Sequence, residues 1–274
     1  IWRRAYNWRD RSKESTLSTM IAQLSLLSTL LLPAFAQQYP YAVDIAQQGP
    51  SSVFSCLKSN SYSTVFLRVY KPDGSGAVDT AGINNISPAF YAGLGTEVYM
   101  TPNPTSSKSA NSQVDELVKT FKTGGVQVRS LWLQVTSPLN WNKDQIKNIN
   151  FIQAVIARFR TNGITTGIYT NNYDWQQITN NAVGLGTDVR LWYWSVLGQG
   201  PTGETAPNFT DFRPFGQWSS AAVKQFAQNE SVCGQILNRD VYMLNAASSA
   251  LRANRVDGTA LETEKSVVVG SIGL

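Results

Sequence analysis

Three carboxylates stand inside short apolar runs, where an unpaired charge is costly: Asp44 in YAVDIA, Glu97 in TEVYMT and Asp240 in NRDVY. Groups of this kind can give or take protons when burial shifts their pKa. They matter more here because the chain of 274 residues has no histidine. That excludes Ser-His-Asp and Cys-His nucleophile pairs, histidine zinc sites and imidazole acid–base work. The two cysteines, Cys56 and Cys233, are too few for a zinc ribbon or an iron–sulfur site. No cluster of oxygen ligands suggests a cation, so the expectation is no metal and no cofactor. Any catalysis in this chain falls to carboxylates.

The elements that must position these residues follow from the pattern. Short β-rich runs alternate with helical spacing. Strands are predicted at Tyr41–Ala46, Thr64–Tyr70, Thr96–Thr101, Val128–Val135, Thr165–Thr170, Arg190–Val196, Ala222–Ala227 and Arg239–Met243. Helices are predicted at Asn111–Lys122 and Lys143–Thr161, the second ended by Asn162-Gly163. About eight strands with fewer helices point to a small α/β barrel. No glycine-rich phosphate loop follows a strand, so nucleotide-binding folds are disfavoured. In such barrels the working residues lie at strand carboxyl ends. That rule selects Asp44, Tyr99, Gln134, Thr136, Tyr169, Trp192, Trp194, Gln225 and Asp240. A groove of carboxylates, amides and flat rings suits a polysaccharide, whose apolar faces stack on aromatics while its hydroxyls pair with polar groups. Trp192 is expected to line that groove, whereas Trp132 and Trp194 fit the core equally well. Glu97 reads either as a relocated acid or as a paired structural residue near the barrel's middle.

Hydrophobic residues make up 42% of the chain and charged residues 15%, too apolar for disorder and too polar for a membrane bundle. The net charge of +5 is concentrated in the first 36 residues, and no basic run interleaved with aromatics suggests nucleic acid. The stretch IAQLSLLSTLLLPAFA from Ile21 to Ala36 ends in an A-x-A pattern. It predicts a leader region over 1–36, with a signal peptide at about 20–36 and Gln37 as the mature start. The barrel domain is expected over 37–243. Residues 244–274 read as a poorly ordered tail, with a short helix possible at Ala246–Asn254. A secreted chain is expected to join Cys56 to Cys233 and to offer sequons at Asn85, Asn208 and Asn229.

At this point the chain resembles glycoside hydrolase family 25, the lysozymes that cleave peptidoglycan between N-acetylmuramic acid and N-acetylglucosamine. More narrowly, it is similar to the secreted nematode and protist-type branch. YAVDIA, AGLGTEVYMTPNP, RSLWLQVTSPLNW, GIYTNNYDW, LWYWSV, VKQFAQ and NRDVY carry the resemblance, which covers nearly all of 39–243. It implies a flattened β/α barrel with fewer helices than strands. It also implies that Asp44 and Asp240 are the first- and last-strand carboxylates and that Tyr99 and Tyr169 are groove tyrosines. One departure stands out. Where the family has Asp-x-Glu on the fourth strand, this chain has Gln134-Val135-Thr136. In the family that Glu is the general acid, and the Asp supports the N-acetyl group that attacks the anomeric carbon.

Two expectations follow. The first is a secreted muramidase in which Asp44 orients, Asp240 or Glu97 protonates, and Gln134 positions the N-acetyl group. The second is a peptidoglycan-binding lectin on the same barrel. Both imply a cell-wall polysaccharide partner, no nucleic acid, no membrane after leader removal and a monomer. Both place the protein outside the cell or in a lysosomal or phagosomal lumen.

Overall fold

The computed structural model describes residues 39–244 and 266–274. The predicted leader and the possible helix at Ala246–Asn254 lie outside the described residues. In chain order the strands are β1 (Tyr41–Ile45), β2 (Tyr62–Lys71), β3 (Ala77–Val78), β4 (Gly95–Met100), β5 (Val126–Val128) and β6 (Ser130–Gln134). Then come β7 (Thr165–Thr170), β8 (Leu191–Trp194), β9 (Val223–Val232), β10 (Gln235–Tyr242) and β11 (Val267–Val269). The helices are α1 (Ser51–Ser59), α2 (Thr80–Tyr91), α3 (Ala110–Thr123), α4 (Gln145–Thr161) and α5 (Asn172–Thr179).

Eight strands close on themselves in the order β1-β2-β4-β6-β7-β8-β9-β10, with β10 returning to β1. The pairings from β1 round to β9 are parallel, and β10 runs antiparallel to both its neighbours. This is the flattened β/α barrel expected from the sequence. Parallel strands buried on both faces read as nearly continuous apolar runs, as TVFLRVY does in β2. Alternate side chains turn outward beneath the helices, where Val65, Leu67, Leu117, Ile152 and Phe159 form the main core. The others turn inward, where Phe66, Trp132, Tyr169 and Trp192 fill the barrel. Gly167 makes room for this filling, because a Cβ there would sit 2.5 Å from the Trp132 ring.

Helices α3, α4 and α5 begin at side-chain caps: Ser109, Asp144 and Asn171 each accept a backbone N–H of the first turn. Helices α1, α2 and α5 were not evident from periodicity. The first and last have only nine and eight residues, and α2 contains Pro88, which reads as a breaker. The predicted strand Val128–Val135 is divided at Arg129, so that β5 leaves the barrel to pair with β11.

That pairing corrects the reading of 244–274 as a poorly ordered tail, as far as residues 266–274 are concerned. Strand β11 lies parallel to β5, and Ile272 enters the barrel interior with 1% of its surface exposed. Gly270, at φ +81°, passes so close to Ser130 that a Cβ would fall 2.2 Å from its carbonyl oxygen. The short apolar run VVV has a burial reason that composition alone did not reveal. Cys56 of α1 and Cys233, in the β9–β10 turn, form the expected disulfide with Cα atoms 5.9 Å apart.

Candidate active site at the carboxyl end of the barrel

The register of β1 against β10 sets Ala42 opposite Asp240 and Asp44 opposite Asn238. Residues opposite each other in a ladder point to the same face, so both aspartates enter the barrel on adjacent strands, one step apart in depth. Asp44 Oδ1 accepts from Asn238 Nδ2 at 3.0 Å and from the Tyr99 hydroxyl at 3.5 Å. Asp240 Oδ1 accepts from Trp192 Nε1 at 2.9 Å. Among the described residues, neither Oδ2 has a hydrogen-bond partner. Burial pushes Asp44 up to about 7, against the pull of Asn238, Tyr99 and the Arg68 guanidinium. Burial raises Asp240 well above the carboxylate range, and repulsion from Asp44 adds to it.

Around this pair the mouth is lined by polar groups that already have partners. The Tyr169 hydroxyl donates to Gln225 Oε1, and the Thr101 hydroxyl donates to Gln134 Oε1. A cleft of about 420 Å³ opens beside Gln134 and Thr136, between the loops that follow β4 and β6, with Asn103, Leu139 and Trp141 on its walls. A larger cavity of about 600 Å³, lined by Arg190, Gln217 and Trp218, opens at the start of β8. It lies at the other end of that strand from these carboxylates, so size does not identify the site here.

The structure thus brings Asp44, Asp240, Tyr99, Gln134, Tyr169 and Gln225 to one end. Three other sequence-based expectations fare differently. Glu97 also points into the barrel, but towards its floor. One oxygen accepts from Ser271 N at 2.6 Å, Ile272 N at 2.9 Å and the Ser271 hydroxyl at 3.2 Å; the other accepts from Trp132 Nε1 at 3.1 Å. Burial raises its pKa and these donors pull it back. Its contacts fit the structural carboxylate of the two readings, tied to Trp132 and to the turn that follows β11.

Trp192 does not line a groove. It has no exposed surface, stacks on Tyr169 with centroids 3.9 Å apart and holds Asp240 through its N–H. Trp194, two residues on, is the half-buried ring at the strand end. Asn85 is not available to a glycan: it is 1% exposed, and its amide binds Gly49 N and Gln47 O. Asn229 is exposed, and Asn208 is half-buried with its oxygen turned to Thr210.

One carboxylate at the mouth was missed. Asp174, in the first turn of α5, is 4% exposed. It accepts from Trp194 Nε1 at 3.3 Å, and the backbone N–H of Ser137, in the loop after β6, favours its charged form. Burial raises its pKa against these two donors. The only sequence signal was the Asn171-x-x-Asp174 spacing, which reads as a helix start rather than as chemistry.

A closed barrel of this strand order, with paired carboxylates at its mouth, defines a glycoside-hydrolase-like class, and comparison with known proteins gives the family. The model of the Lysozyme-like protein 1 family matches residues 35–226. Lysozyme-like protein 1 of Caenorhabditis elegans is 48% identical over 240 residues, covering 86% of this chain and 80% of that protein. A probable glycoside hydrolase family 25 lysozyme of Dictyostelium discoideum is 32% identical over 193 residues, covering 70% of this chain and 85% of that protein. The family 25 lysozyme structure from Aspergillus fumigatus superposes with a TM-score of 0.60 at 18% identity, over 79% of this chain and 98% of that one. The chain belongs to the lysozyme-like proteins of the glycoside hydrolase family 25 type.

Proposed function

We propose that this chain is a secreted muramidase that hydrolyses the β-1,4 bond between N-acetylmuramic acid and N-acetylglucosamine in bacterial peptidoglycan, in defence or digestion. The observation that carries this reading is the Asp44–Asp240 pair, buried yet with one oxygen of each carboxylate left unpaired at the sugar-binding end of a lysozyme-type barrel. With Asp240 held neutral by burial, an ionised Asp44 gives the pair one negative charge, which stabilises the positive charge that develops at the anomeric carbon. Gln134, with its amide beside the cleft, supplies hydrogen bonds suited to an N-acetyl group. Glu97 takes no part, since its oxygens are occupied by Ser271 and Ile272 on one side and Trp132 on the other. The leader pattern at 20–36 and the Cys56–Cys233 bond support export, and Asn208 and Asn229 are the sequons open to modification.

A second reading, a peptidoglycan-binding lectin, is favoured by one feature. Strand β6 and its exit carry Gln134 and Thr136, neither of which delivers a proton near neutral pH. The test is reducing-end release from purified peptidoglycan by residues 37–274, with Asp44→Ala alongside. Release that disappears in the variant supports the muramidase. A folded protein that sediments with peptidoglycan but releases nothing is the lectin.

A further inference from the structure

We infer that Asp174 is the general acid of this reaction, standing in for the carboxyl that strand β6 lacks. The inference rests on the muramidase reading above and gives it a proton donor.

Position is the first argument. Around the ring of eight strands, β7 stands four places from β1, directly across the barrel. Asp174 follows β7 by four residues, which sets it across the ring from Asp44 on β1 and three strand places from Asp240 on β10. A glycosidase needs carboxyl groups on two sides of the bond it breaks. Asp174 also meets the very loop from which a carboxyl is missing. The backbone N–H of Ser137, the residue after Thr136, is one of the two donors that favour its charged form.

Orientation is the second argument. An acidic residue three positions after an N-cap commonly turns back to the cap's own N–H. Here Asn171 caps the helix by accepting from Asp174 N at 2.7 Å, while the Asp174 carboxyl reaches out to Trp194 and to Ser137. Ser137 itself holds a left-handed backbone, φ +58°. Such a conformation in a non-glycine residue is strained and persists only where its surroundings enforce it.

Protonation is the third. Burial favours the neutral carboxyl, and among the described residues no lysine or arginine pulls it back. The Tyr169 phenol, five residues earlier on β7, feels its charge and is itself held neutral by burial. In the reaction, the Asp174 proton passes to the glycosidic oxygen as the bond from that oxygen to the anomeric carbon breaks. The bonding pair stays with the oxygen. A water then supplies hydroxyl to the anomeric carbon, and its remaining proton restores Asp174.

The experiment compares the unsubstituted protein, Asp174→Asn and Asp174→Glu. It uses two substrates across pH 4–9: purified peptidoglycan, and a 4-methylumbelliferyl glycoside of an N-acetylglucosamine oligomer. Asp174→Asn should lower kcat on peptidoglycan by roughly 10²- to 10⁴-fold. It should also abolish the alkaline limb of the pH–rate profile. On the aryl glycoside, whose phenolate leaves without a proton, the loss should be less than about tenfold, since the acid has little to contribute there. Asp174→Glu should keep an alkaline limb at a shifted pH. Equal losses on both substrates, or an alkaline limb that survives in Asp174→Asn, would overturn the assignment. If the unsubstituted protein releases nothing, the muramidase reading and this inference fall together. If Asp44→Asn abolishes release while Asp174→Asn does not, only this inference falls.

Discussion

The two ends of this barrel each bury carboxylates, and they treat them in opposite ways. At the floor, Glu97 is fully buried and surrounded by donors: two backbone N–H groups, a hydroxyl and an indole N–H. At the mouth, Asp44 and Asp240 are as deeply buried, but each leaves an oxygen unpaired. A buried polar group without a partner is destabilising, so a fold keeps one only where something else maintains it. Burial and a raised pKa are common to both ends. What separates the two ends is whether the carboxylate's hydrogen-bonding capacity is already used.

The largest effect should come from the covalent tie. The disulfide fastens the β9–β10 turn, and β10 carries Asn238 and Asp240 down to Asp44. Its ends are 177 residues apart, and a loop of that length is worth about 4–5 kcal/mol in the chain-entropy model. Replacing Cys56 and Cys233 with alanine should therefore lower stability in urea melts by that order. It should also loosen the mouth, lowering peptidoglycan release at temperatures where the floor remains folded. Equal loss of both signals at every temperature would mean the two ends do not differ in this respect.

Next comes Asp44→Asn. It should lower release by two to four decades, equivalent to about 3–5 kcal/mol of barrier. It should also remove the acidic limb near pH 7 that Asp44 sets. Stability should move the other way. The folded-state pKa lies above the unfolded value, so the native protein binds more protons between pH 4 and pH 7 and loses stability as pH rises through that window. Each pH unit of that window removes about 1.4 kcal/mol, and Asn avoids the loss. Thermal melts at pH 8 should find the variant more stable than the parent. A less stable variant at pH 8 would mean that the charge at the mouth is as well satisfied as the one at the floor.

Most of the architecture could be read from the chain, because parallel strands buried on both faces leave unbroken apolar runs such as TVFLRVY and LWYWSV. The first- and last-strand aspartates were visible for the same reason, since a charge inside such a run is conspicuous. Three things were not visible. Trp192 and Trp194 are two residues apart on one face, and only barrel closure decides which ring is sealed in. Asn85 carries a sequon, but its burial depends on helix α2 packing over the Gln47–Gly49 loop. The pairing of β11 with β5 joins segments more than a hundred residues apart, and a three-residue run such as VVV does not show which strand it will meet.

Glu97→Ala probes the floor directly. It leaves Ser271 N, Ile272 N and Trp132 Nε1 without their acceptor, at a cost of about 3 kcal/mol in urea melts. The pH–rate profile of the residual folded enzyme should keep both limbs where they were. A displaced limb would bring Glu97 back into the mechanism and erase the contrast between the ends.

The smallest effect sharpens the comparison most. Trp194→Phe keeps a ring at the strand end and removes only the N–H given to Asp174. That donor favours the charged form, so its loss raises the Asp174 pKa further. A neutral donor's contribution of about 0.7 kcal/mol corresponds to about half a pH unit. The alkaline limb of peptidoglycan release should therefore move up by roughly that much, with kcat on the plateau nearly unchanged. The equivalent loss at the floor, removal of the Trp132 N–H that Glu97 accepts, should move neither limb. An alkaline limb that stays fixed in Trp194→Phe would mean that Asp174 is another fastening, closer in kind to Glu97 than to the pair it faces.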